Sequence, residues 1–476
     1  MTVDEQRPDG LNVLEKRIAQ DFERLNYPPA DWTPEETGPR GDSNADVLIV
    51  GAGMNGLCAA FALRRLGISR IRHIDARDAG LEGPWLTYAR MEYLRSPKHL
   101  TGPALGMASL TFRAWWEAQY GSAGWDWLGY ILREDWARYL AWYARFTGSQ
   151  VENATRLTSL HPGQQYVTAR IDGPNGVEDI MARQIVLATG REGQASPRIP
   201  APFSAHMGAG VQHSSAPLDT SDLAGRKIVV VGLSASAFDN ACVAAEVGAD
   251  VTLLGRAPHL PTVNKMKQTV YPGFAHGFPD LPDGERLAWL RMVTAARTAP
   301  PRHTVQRAAR AGIKVVLGEE TSSVIRDGAI LKLTTENNAY TADQVILGTG
   351  FRFDLSADPA LSDIASEILL WRDVAEATAQ DDDYLECPAL GPGFDLRPNH
   401  AATTPGLGRI RCFTHAAQPS LGNLSNDIPQ ASEGADRLAR SLASSLFVDD
   451  TSVHRQRLKE YSDPELLGDE ISMSTS

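Results

Sequence analysis

Residues 46–56 read Asp-Val-Leu-Ile-Val-Gly-Ala-Gly-Met-Asn-Gly, an apolar run that ends in a Gly-x-Gly-x-x-Gly turn. Residues 57–66 then carry apolar side chains at helical spacing, and Gly67 ends that pattern. The stretch predicts a buried parallel strand, a tight turn and a helix. Its glycines allow the backbone to approach a pyrophosphate, whose negative charge the helix N-terminus stabilises.

An acidic residue at the end of the next strand makes this signal more specific. Residues 71–75 read Ile-Arg-His-Ile-Asp, and Asp75 stands where a carboxylate accepts hydrogen bonds from a ribose diol. A strand, a glycine turn, a helix and an acid together favour a bound FAD over a glycine-rich turn without a ligand. The residues expected to contact FAD in this unit are Gly51, Gly53, Asn55, Gly56 and Asp75.

The bulk properties exclude several classes of protein. A chain of 476 residues suggests two or three domains, and a net charge of −12 disfavours nucleic acid or an anionic membrane as the main partner. No signal-peptide core and no apolar run of ~18 residues is present, so we expect a cytoplasmic protein. The cysteines form no Cys-x-x-Cys pair and no zinc-binding pattern, so no metal is expected. They are Cys58, Cys242, Cys387 and Cys412.

A second strand, turn, helix and strand repeat the first pattern. Residues 225–237 read Gly-Arg-Lys-Ile-Val-Val-Val-Gly-Leu-Ser-Ala-Ser-Ala, and a further strand ends before Arg256. Gly232 and Arg256 are 24 positions apart, as are Gly51 and Asp75. The chain therefore contains an internal repeat of a dinucleotide-binding unit.

Two apolar strands that end in Thr-Gly, residues 184–190 and 344–350, flank this second unit. We therefore expect an α/β fold of two nested Rossmann-like domains, with the NADPH domain inserted in the FAD domain between these strands. The expected parts are an N-terminal arm (1–44), the first part of the FAD domain (45–224), the NADPH domain (225–342) with an insertion at about 258–307, the second part of the FAD domain (343–450) and a polar tail (451–476). The insertion is either a lid or a surface excursion.

The cofactor of the second unit is indicated by Arg256, which occupies the position matched to Asp75. A guanidinium has no acceptor for a ribose diol, but its forked donors suit a 2′-phosphate. This predicts NADPH rather than NADH, and the alternative is a solvated arginine at a strand end. The expected contacts are Gly232, Ser234, Ser236 and Arg256.

A C-terminal segment returns to the first domain in this interpretation. A helix is expected through about Phe447, with Pro429 in its first turn and Asn426 or Asp427 as its cap. Its N-terminus would stabilise negative charge on the pyrimidine end of a reduced flavin. Further cofactor contacts are expected from Trp85, Thr189 and Gly350.

These motifs together resemble the class B flavoprotein monooxygenases, over roughly residues 45–450. That group includes flavin-containing monooxygenases, Baeyer–Villiger enzymes and N-hydroxylases. Its linker fingerprint Phe-x-Gly-x-x-x-His is degenerate here, since Met207 and Ala209 replace the Phe and Gly although His213 remains, which weakens a Baeyer–Villiger assignment. The loop at residues 82–98 is more similar to a bacterial subgroup that includes an FAD-dependent urate hydroxylase.

The resemblance implies an NADPH-dependent FAD monooxygenase that uses dioxygen, through a flavin hydroperoxide, to hydroxylate a small nitrogen-containing or heteroaromatic substrate. It implies catalytic roles for Arg90, Arg95 and Lys98, as cations beside the reduced flavin or an acidic substrate. Alternatively, these cations are solvated or paired with carboxylates. The alternative functions are an NADPH-dependent FAD reductase or disulfide-type oxidoreductase without oxygen insertion, and a flavin-bearing sensor without turnover. A homo-oligomer is left open.

Overall fold

Residues 10–34, 45–295, 297–374 and 383–467 are described by a computed structural model of the chain. The other residues of the expected arm and polar tail lie outside the described residues. No described helix is long and apolar enough to span a lipid bilayer.

The described helices and strands follow one another in the order of an α/β protein. The helices are α1 (Leu11–Arg24), α2 (Met54–Arg65), α3 (Phe112–Trp127), α4 (Arg133–Phe146), α5 (Ala235–Glu246), α6 (Pro272–Gly277), α7 (Asp283–Ala295), α8 (Arg302–Arg310), α9 (Trp371–Val374), α10 (Gln418–Leu421), α11 (Ala431–Asp449) and α12 (Thr451–Glu460). The strands are β1 (Ala45–Val50), β2 (Ile71–Ile74), β3 (Arg156–Pro162), β4 (Val167–Gly173), β5 (Gly176–Leu187), β6 (Ala195–Pro197), β7 (Val211–His213), β8 (Lys227–Val231), β9 (Asp250–Gly255), β10 (Lys314–Leu317), β11 (Ser323–Asp327), β12 (Ile330–Thr334), β13 (Ala339–Ala342), β14 (Gln344–Leu347), β15 (Phe351–Phe353) and β16 (Ile410–Cys412).

The first sheet has the order β2-β1-β5-β4-β3, and β16 adds to β5. Strands β2, β1, β5 and β16 run parallel, whereas β3, β4 and the start of β5 form an antiparallel meander. Residues 47–50 of β1 are buried, as a parallel strand covered on both faces requires. Helix α2 follows the glycine turn and packs against α11, so α11 covers the first nucleotide unit.

The second sheet has the order β10-β9-β8-β14-β7, with all strands parallel. A three-stranded antiparallel meander, β11 to β13, precedes β14. In the first sheet the corresponding meander is β3, β4 and the start of β5, and the rest of β5 is the Thr-Gly strand. Each Thr-Gly strand therefore pairs with the strand of its own glycine turn, β5 with β1 and β14 with β8. The nested pair of dinucleotide-binding folds is confirmed.

The expected return to the first domain at residue 343 is wrong for β14, because this strand pairs with β8 and β7 in the second sheet. Strand β7, expected in the first part of the FAD domain, also belongs to the second sheet. The physical reason is that the internal repeat includes its Thr-Gly strand, which supports the glycine turn of the same unit. The chain rejoins the first sheet only at β16.

The expected insertion at 258–307 is a packed part of the molecule rather than a surface excursion. Helix α8 packs against α5 and is the crossover from β9 to β10, so it belongs to the basic fold. The preceding segment buries Phe274 and Phe278 in a cluster with Trp371. Thr269 also accepts a hydrogen bond from Asn423 at 2.7 Å, which ties the segment to the C-terminal part of the chain.

The two ends of the described chain pack on the first domain. Helix α1 buries Leu14 and Ile18 in the core of that domain. Residues 451–460 were expected as part of a polar tail, but they form α12, which directly follows α11. Arg457 of this helix donates a hydrogen bond to the Trp32 carbonyl at 2.8 Å.

The helix of the second unit contacts its Thr-Gly strand at a position that requires a glycine. A Cβ atom at Gly348 would lie 2.5 Å from the Cβ of Ala237, far inside normal contact. The first unit has Gly56 and Ala188 at the matched positions. The alanine that replaces the third glycine of the fingerprint is thus accommodated by a glycine on the neighbouring strand.

We expect Gly348→Ala to lower the free energy of unfolding by about 1–3 kcal/mol, because the added methyl group overpacks this contact. The variant with both Gly348→Ala and Ala237→Gly is expected to recover part of that loss, because the second change removes the overpacked methyl group. The recovery is reduced by about 1 kcal/mol, which is the cost of a glycine in a helix. Urea unfolding of the four proteins of this mutant cycle measures the coupling. Purely additive effects would contradict the proposed contact.

Candidate functional site

The first glycine turn is shaped by two close approaches within the protein. Gly51 has φ +101°, and a Cβ there would lie 2.6 Å from the Ala188 carbonyl oxygen. A Cβ at Gly56 would lie 1.8 Å from the Gly51 carbonyl oxygen. Gly53 differs, because its φ is −66° and a Cβ there would meet nothing nearer than the Gly83 Cα at 3.5 Å. The protein's own packing leaves the space at Gly53 open, as a pyrophosphate site requires.

Asp75 directly follows β2 and holds the turn in place. Its Oδ2 accepts a hydrogen bond from the Ala52 backbone N–H at 2.7 Å, and its Oδ1 accepts from the Arg77 N–H at 2.8 Å. Each carboxylate oxygen has a second lone pair, so binding of a ribose diol is compatible with these bonds. Asp75 therefore has a structural contact beside its predicted role.

His73 is a supporting residue that the sequence motif did not indicate. It is buried on β2, and its Nε2 lies 3.0 Å from the Gly51 carbonyl oxygen, to which it donates. Burial lowers the pKa of this imidazole to about 4, so the ring is neutral at physiological pH. A neutral donor thus orients the first glycine of the turn.

Three residues predicted to bind the cofactor carry buried polar atoms without a hydrogen-bonding partner among the described residues. These atoms are Asn55 Oδ1, Trp85 Nε1 and Asn426 Oδ1. Asn55 also donates through Nδ2 to the Ser425 carbonyl, and the open position at Gly53 faces Gly83. An unsatisfied buried polar group costs about 1–3 kcal/mol. Since FAD offers both donors and acceptors, the residues present fit this cofactor.

The start of α11 differs from its prediction. The helix begins at Ala431 with Gln430 at its N-cap, so Pro429 precedes the first turn and neither Asn426 nor Asp427 is the cap residue. Asp427 Oδ1 accepts from the Gln430 backbone N–H at 3.4 Å. Burial, with a contribution from Glu433, raises the pKa of the Asp427 carboxyl to about 7 against the effect of that hydrogen bond.

In the second unit, Gly232 again begins the helix turn, with φ +127°. Ser234 caps α5 by accepting from the Ala237 N–H at 3.5 Å and donates to the Gly348 carbonyl at 3.4 Å. Ser236 donates to the Ser214 hydroxyl at 3.3 Å. Both hydroxyls thus have partners within the protein.

Arg256 directly follows β9, as the repeat predicts. Its side chain is 70% exposed and lies 3.6 Å from Glu320, which is equally exposed. A pair this open to water contributes little to stability. Arg256 is therefore accessible to an anionic ligand.

The two Thr-Gly turns are held by polar side chains of the linkers. Gln194 donates to the Thr189 hydroxyl at 3.4 Å. His213 is buried, and its Nε2 donates to the Gly350 carbonyl at 2.9 Å. Burial lowers the pKa of His213, so it acts as a neutral link between β7 and the end of β14.

The structure gives each of the three expected catalytic cations a separate partner. Arg90 donates to the Thr87 and Ala216 carbonyls at 2.8 and 3.3 Å. Arg95 pairs with Asp239 of α5 at 3.2 Å. Lys98 donates to the Trp125 backbone carbonyl at 2.5 Å, and its ammonium group lies over the Trp125 indole ring. Only Arg95 has the carboxylate partner of the alternative interpretation, and a catalytic role for these residues stays a prediction.

A cavity of about 250 Å³ collects residues that the sequence analysis missed. Arg191 and Phe351 directly follow the two Thr-Gly turns, which is the signal that was overlooked. Burial first, and then the nearby Arg191 cation, hold the pKa of His415 well below its ordinary value. The lining residues are Arg191, Ala195, Thr294, Phe351, Phe353, Asp383, Tyr384, His415 and Gln418. Within the described ranges, no group of histidine, cysteine and acidic residues is arranged to bind a metal.

Known proteins with this architecture are flavoenzymes. Residues 45–271 match the family model described as pyridine nucleotide-disulphide oxidoreductase. The ornithine hydroxylase of Pseudomonas aeruginosa matches with a TM-score of 0.65 at 16% identity, covering 84% of this chain and 99% of that one. The L-lysine 6-monooxygenase of Pseudomonas syringae matches with a TM-score of 0.62 at 18% identity, covering 84% and 100%. These structures share the fold.

With the nucleotide-binding fold described above and the relative named next, the protein is an FAD-dependent oxidoreductase of the monooxygenase type. It is 35% identical to the FAD-dependent urate hydroxylase of Xanthomonas campestris pv. campestris, over 96% of this chain and 98% of that protein. The chain belongs to the family of that hydroxylase.

We expect Gly53→Ala to weaken FAD binding by about tenfold or more while leaving the apoprotein folded, because the added methyl group meets only open space in the protein but blocks the pyrophosphate. Fluorescence titration of the apoprotein with FAD measures this. Gly56→Ala is the matched control, and it is expected to unfold the apoprotein more readily because its Cβ clashes with Gly51. Equal FAD affinity of Gly53→Ala and the wild type would contradict the assignment.

His73 predicts a pH dependence of stability. Its folded pKa of about 4 lies below the unfolded value of ~6.5, so the unfolded chain binds the proton first as the pH falls. This contribution is complete above pH ~6.5 and declines towards pH ~4, by about 2–4 kcal/mol. His73→Gln keeps a donor without the titration. Between these pH values, the free energy of unfolding measured in urea should change less with pH for His73→Gln than for the wild type. His161→Gln, at an exposed position of β3, controls for the replacement of a histidine.

Proposed function

We propose that the enzyme uses NADPH and dioxygen to hydroxylate urate or a closely related nitrogen heterocycle. The observation that carries this proposal is the 35% identity to the FAD-dependent urate hydroxylase over nearly the full length of both chains. The cavity supports it, because it combines a cation, aromatic rings and an amide in a volume suited to one small ring system.

NADPH as the electron donor is supported by the second nucleotide unit. Its glycine turn is present with a capped helix, and Arg256 stands exposed at the end of β9. A 2′-phosphate placed there exchanges the weak contact with Glu320 for charge-assisted hydrogen bonds. The neighbouring Glu320 carboxylate lowers the binding energy that Arg256 gains from a 2′-phosphate, without removing it.

In the overall reaction, one oxygen atom enters the substrate and the other leaves as water, with the two electrons delivered by NADPH as one hydride and a proton taken from solvent. When bound, the flavin supplies the redox and oxygen-transfer chemistry. The protein must orient the substrate and exclude water, which the aromatic walls at Phe351 and Phe353 favour. Asp427, with a pKa of about 7, is able to hold or release a proton beside the start of α11.

A disulfide reductase is the less supported alternative. Such an enzyme needs two cysteines that exchange electrons with the flavin. All four cysteines are buried, and burial raises the pKa of Cys58, Cys242 and Cys412, which disfavours reactive thiolates.

The function is tested by mixing the FAD-loaded protein with NADPH under anaerobic conditions and then with oxygenated buffer and urate. We expect rapid loss of the oxidised flavin absorbance, followed by urate consumption equal to the oxygen and NADPH consumed. Reduction followed by hydrogen peroxide alone, with urate intact, would instead favour a reductase or oxidase. A flavin that neither nicotinamide reduces would indicate a sensor.

The NADPH preference is expected to depend on Arg256. Arg256→Gln should raise the KM for NADPH by about tenfold and leave the KM for NADH unchanged, because only NADPH carries the 2′-phosphate. Glu320→Gln is the matched variant, and it should lower the KM for NADPH since it removes the competing carboxylate. Steady-state flavin reduction with both nucleotides measures these values. Parallel changes for NADPH and NADH would refute the role of Arg256.

A further inference from the structure

The cavity lies where both Thr-Gly turns lead into the linkers between the domains. Strand β6 follows the first turn and pairs antiparallel with β15, which follows the second turn. Arg191 comes directly after the first turn, and Phe351 and Phe353 belong to β15. The walls therefore come from the chain segments that join the two nucleotide units.

Arg191 brings an uncompensated positive charge to this cavity. Among the residues that the structure describes, no carboxylate or hydrogen-bond acceptor pairs with its guanidinium. The nearby acids are engaged elsewhere, since Glu192 lies 3.7 Å from Arg77 and Asp383 pairs with Arg198. The Arg191 residue is exposed, and a cation that has no partner in the described chain attracts an anionic ligand.

Apart from Asp383, which pairs with Arg198, the walls around this charge include neutral aromatic rings. The rings of Phe353 and His415 lie nearly parallel, with an interplanar angle of 24° and centroids 6.0 Å apart. His415 is neutral, since its burial and the Arg191 cation both oppose protonation. The cavity therefore offers aromatic surface without a second positive charge.

Gln418 adds a hydrogen-bonding group with a defined orientation. It is buried, and its Nε2 donates to Asn423 Oδ1 at 3.0 Å. This bond assigns the amide so that Oε1 is its acceptor atom, and no hydrogen bond to that oxygen is present in the described chain. A ligand N–H would complete it.

We propose that this cavity binds the substrate, with Arg191 holding the anionic edge of a planar oxo-heterocycle and Gln418 accepting a hydrogen bond from a ring N–H. The substrate class is a small monoanionic lactam whose ring lies against Phe353 and His415. The proposal rests on the proposed function and adds the residues that recognise its substrate.

The test is equilibrium dialysis of the oxidised, FAD-loaded enzyme at neutral pH with urate, with neutral hypoxanthine and with the planar anion salicylate. Arg191→Gln should weaken urate binding by about 10- to 100-fold and change hypoxanthine binding less than about twofold. Arg191→Lys should lie between, because it keeps the charge but loses the fork. FAD content is measured for each variant, so that loss of cofactor is recognised.

Arg352→Gln is the matched control, because Arg352 lies between the two cavity phenylalanines but donates to Ser196 on the exposed side. It should bind urate as the wild type does. Urate binding by Arg191→Gln at wild-type strength, equal losses for urate and hypoxanthine, or a wild type that binds no probe would each overturn the proposal. If the wild type never oxidises urate yet binds salicylate through Arg191, the proposed function fails and the anion site stands.

Discussion

The structure depends on the close contact between each glycine turn and the Thr-Gly strand beside it. A Cβ at Gly51 or Gly232 would lie 2.6 or 2.4 Å from the carbonyl oxygen of Ala188 or Gly348. These contacts bring the start of each helix to the carboxyl edge of its sheet, where its free N–H groups can bind a phosphate. Both nucleotide units depend on this constraint. In the second unit the third glycine of the fingerprint is replaced by Ala237, and the contact is kept because the neighbouring strand has a glycine, Gly348.

Around the first turn, the polar side chains fall into two groups. Asp75 and the Nε2 of His73 are bonded to the backbone of the turn and fix its shape. Asn55, Trp85 and Asn426 retain buried atoms without partners in the described protein, which is the pattern of a site shaped for a polar ligand. The fold thus separates the residues that maintain the FAD site from those available to contact FAD.

The segments that join the two units also line the cavity. Each Thr-Gly turn continues directly into a wall of the cavity, through Arg191 and through Phe351. His213 also bonds the Gly350 carbonyl, so the linker that carries the degenerate fingerprint supports the second turn. We therefore expect a change in either linker to alter the cavity and the adjoining nucleotide unit together.

The two dinucleotide units could be predicted from local sequence, because glycines at set intervals, apolar strands and the matched positions Asp75 and Arg256 are patterns with one backbone solution. Local sequence did not show which sheet receives β14, since an apolar strand carries no mark of its partner. Nor did it show that Arg90, Arg95 and Lys98 take separate partners, or that Arg191, His415 and Gln418 line one cavity. Those facts follow from the packing of distant segments against one another, which local patterns do not encode.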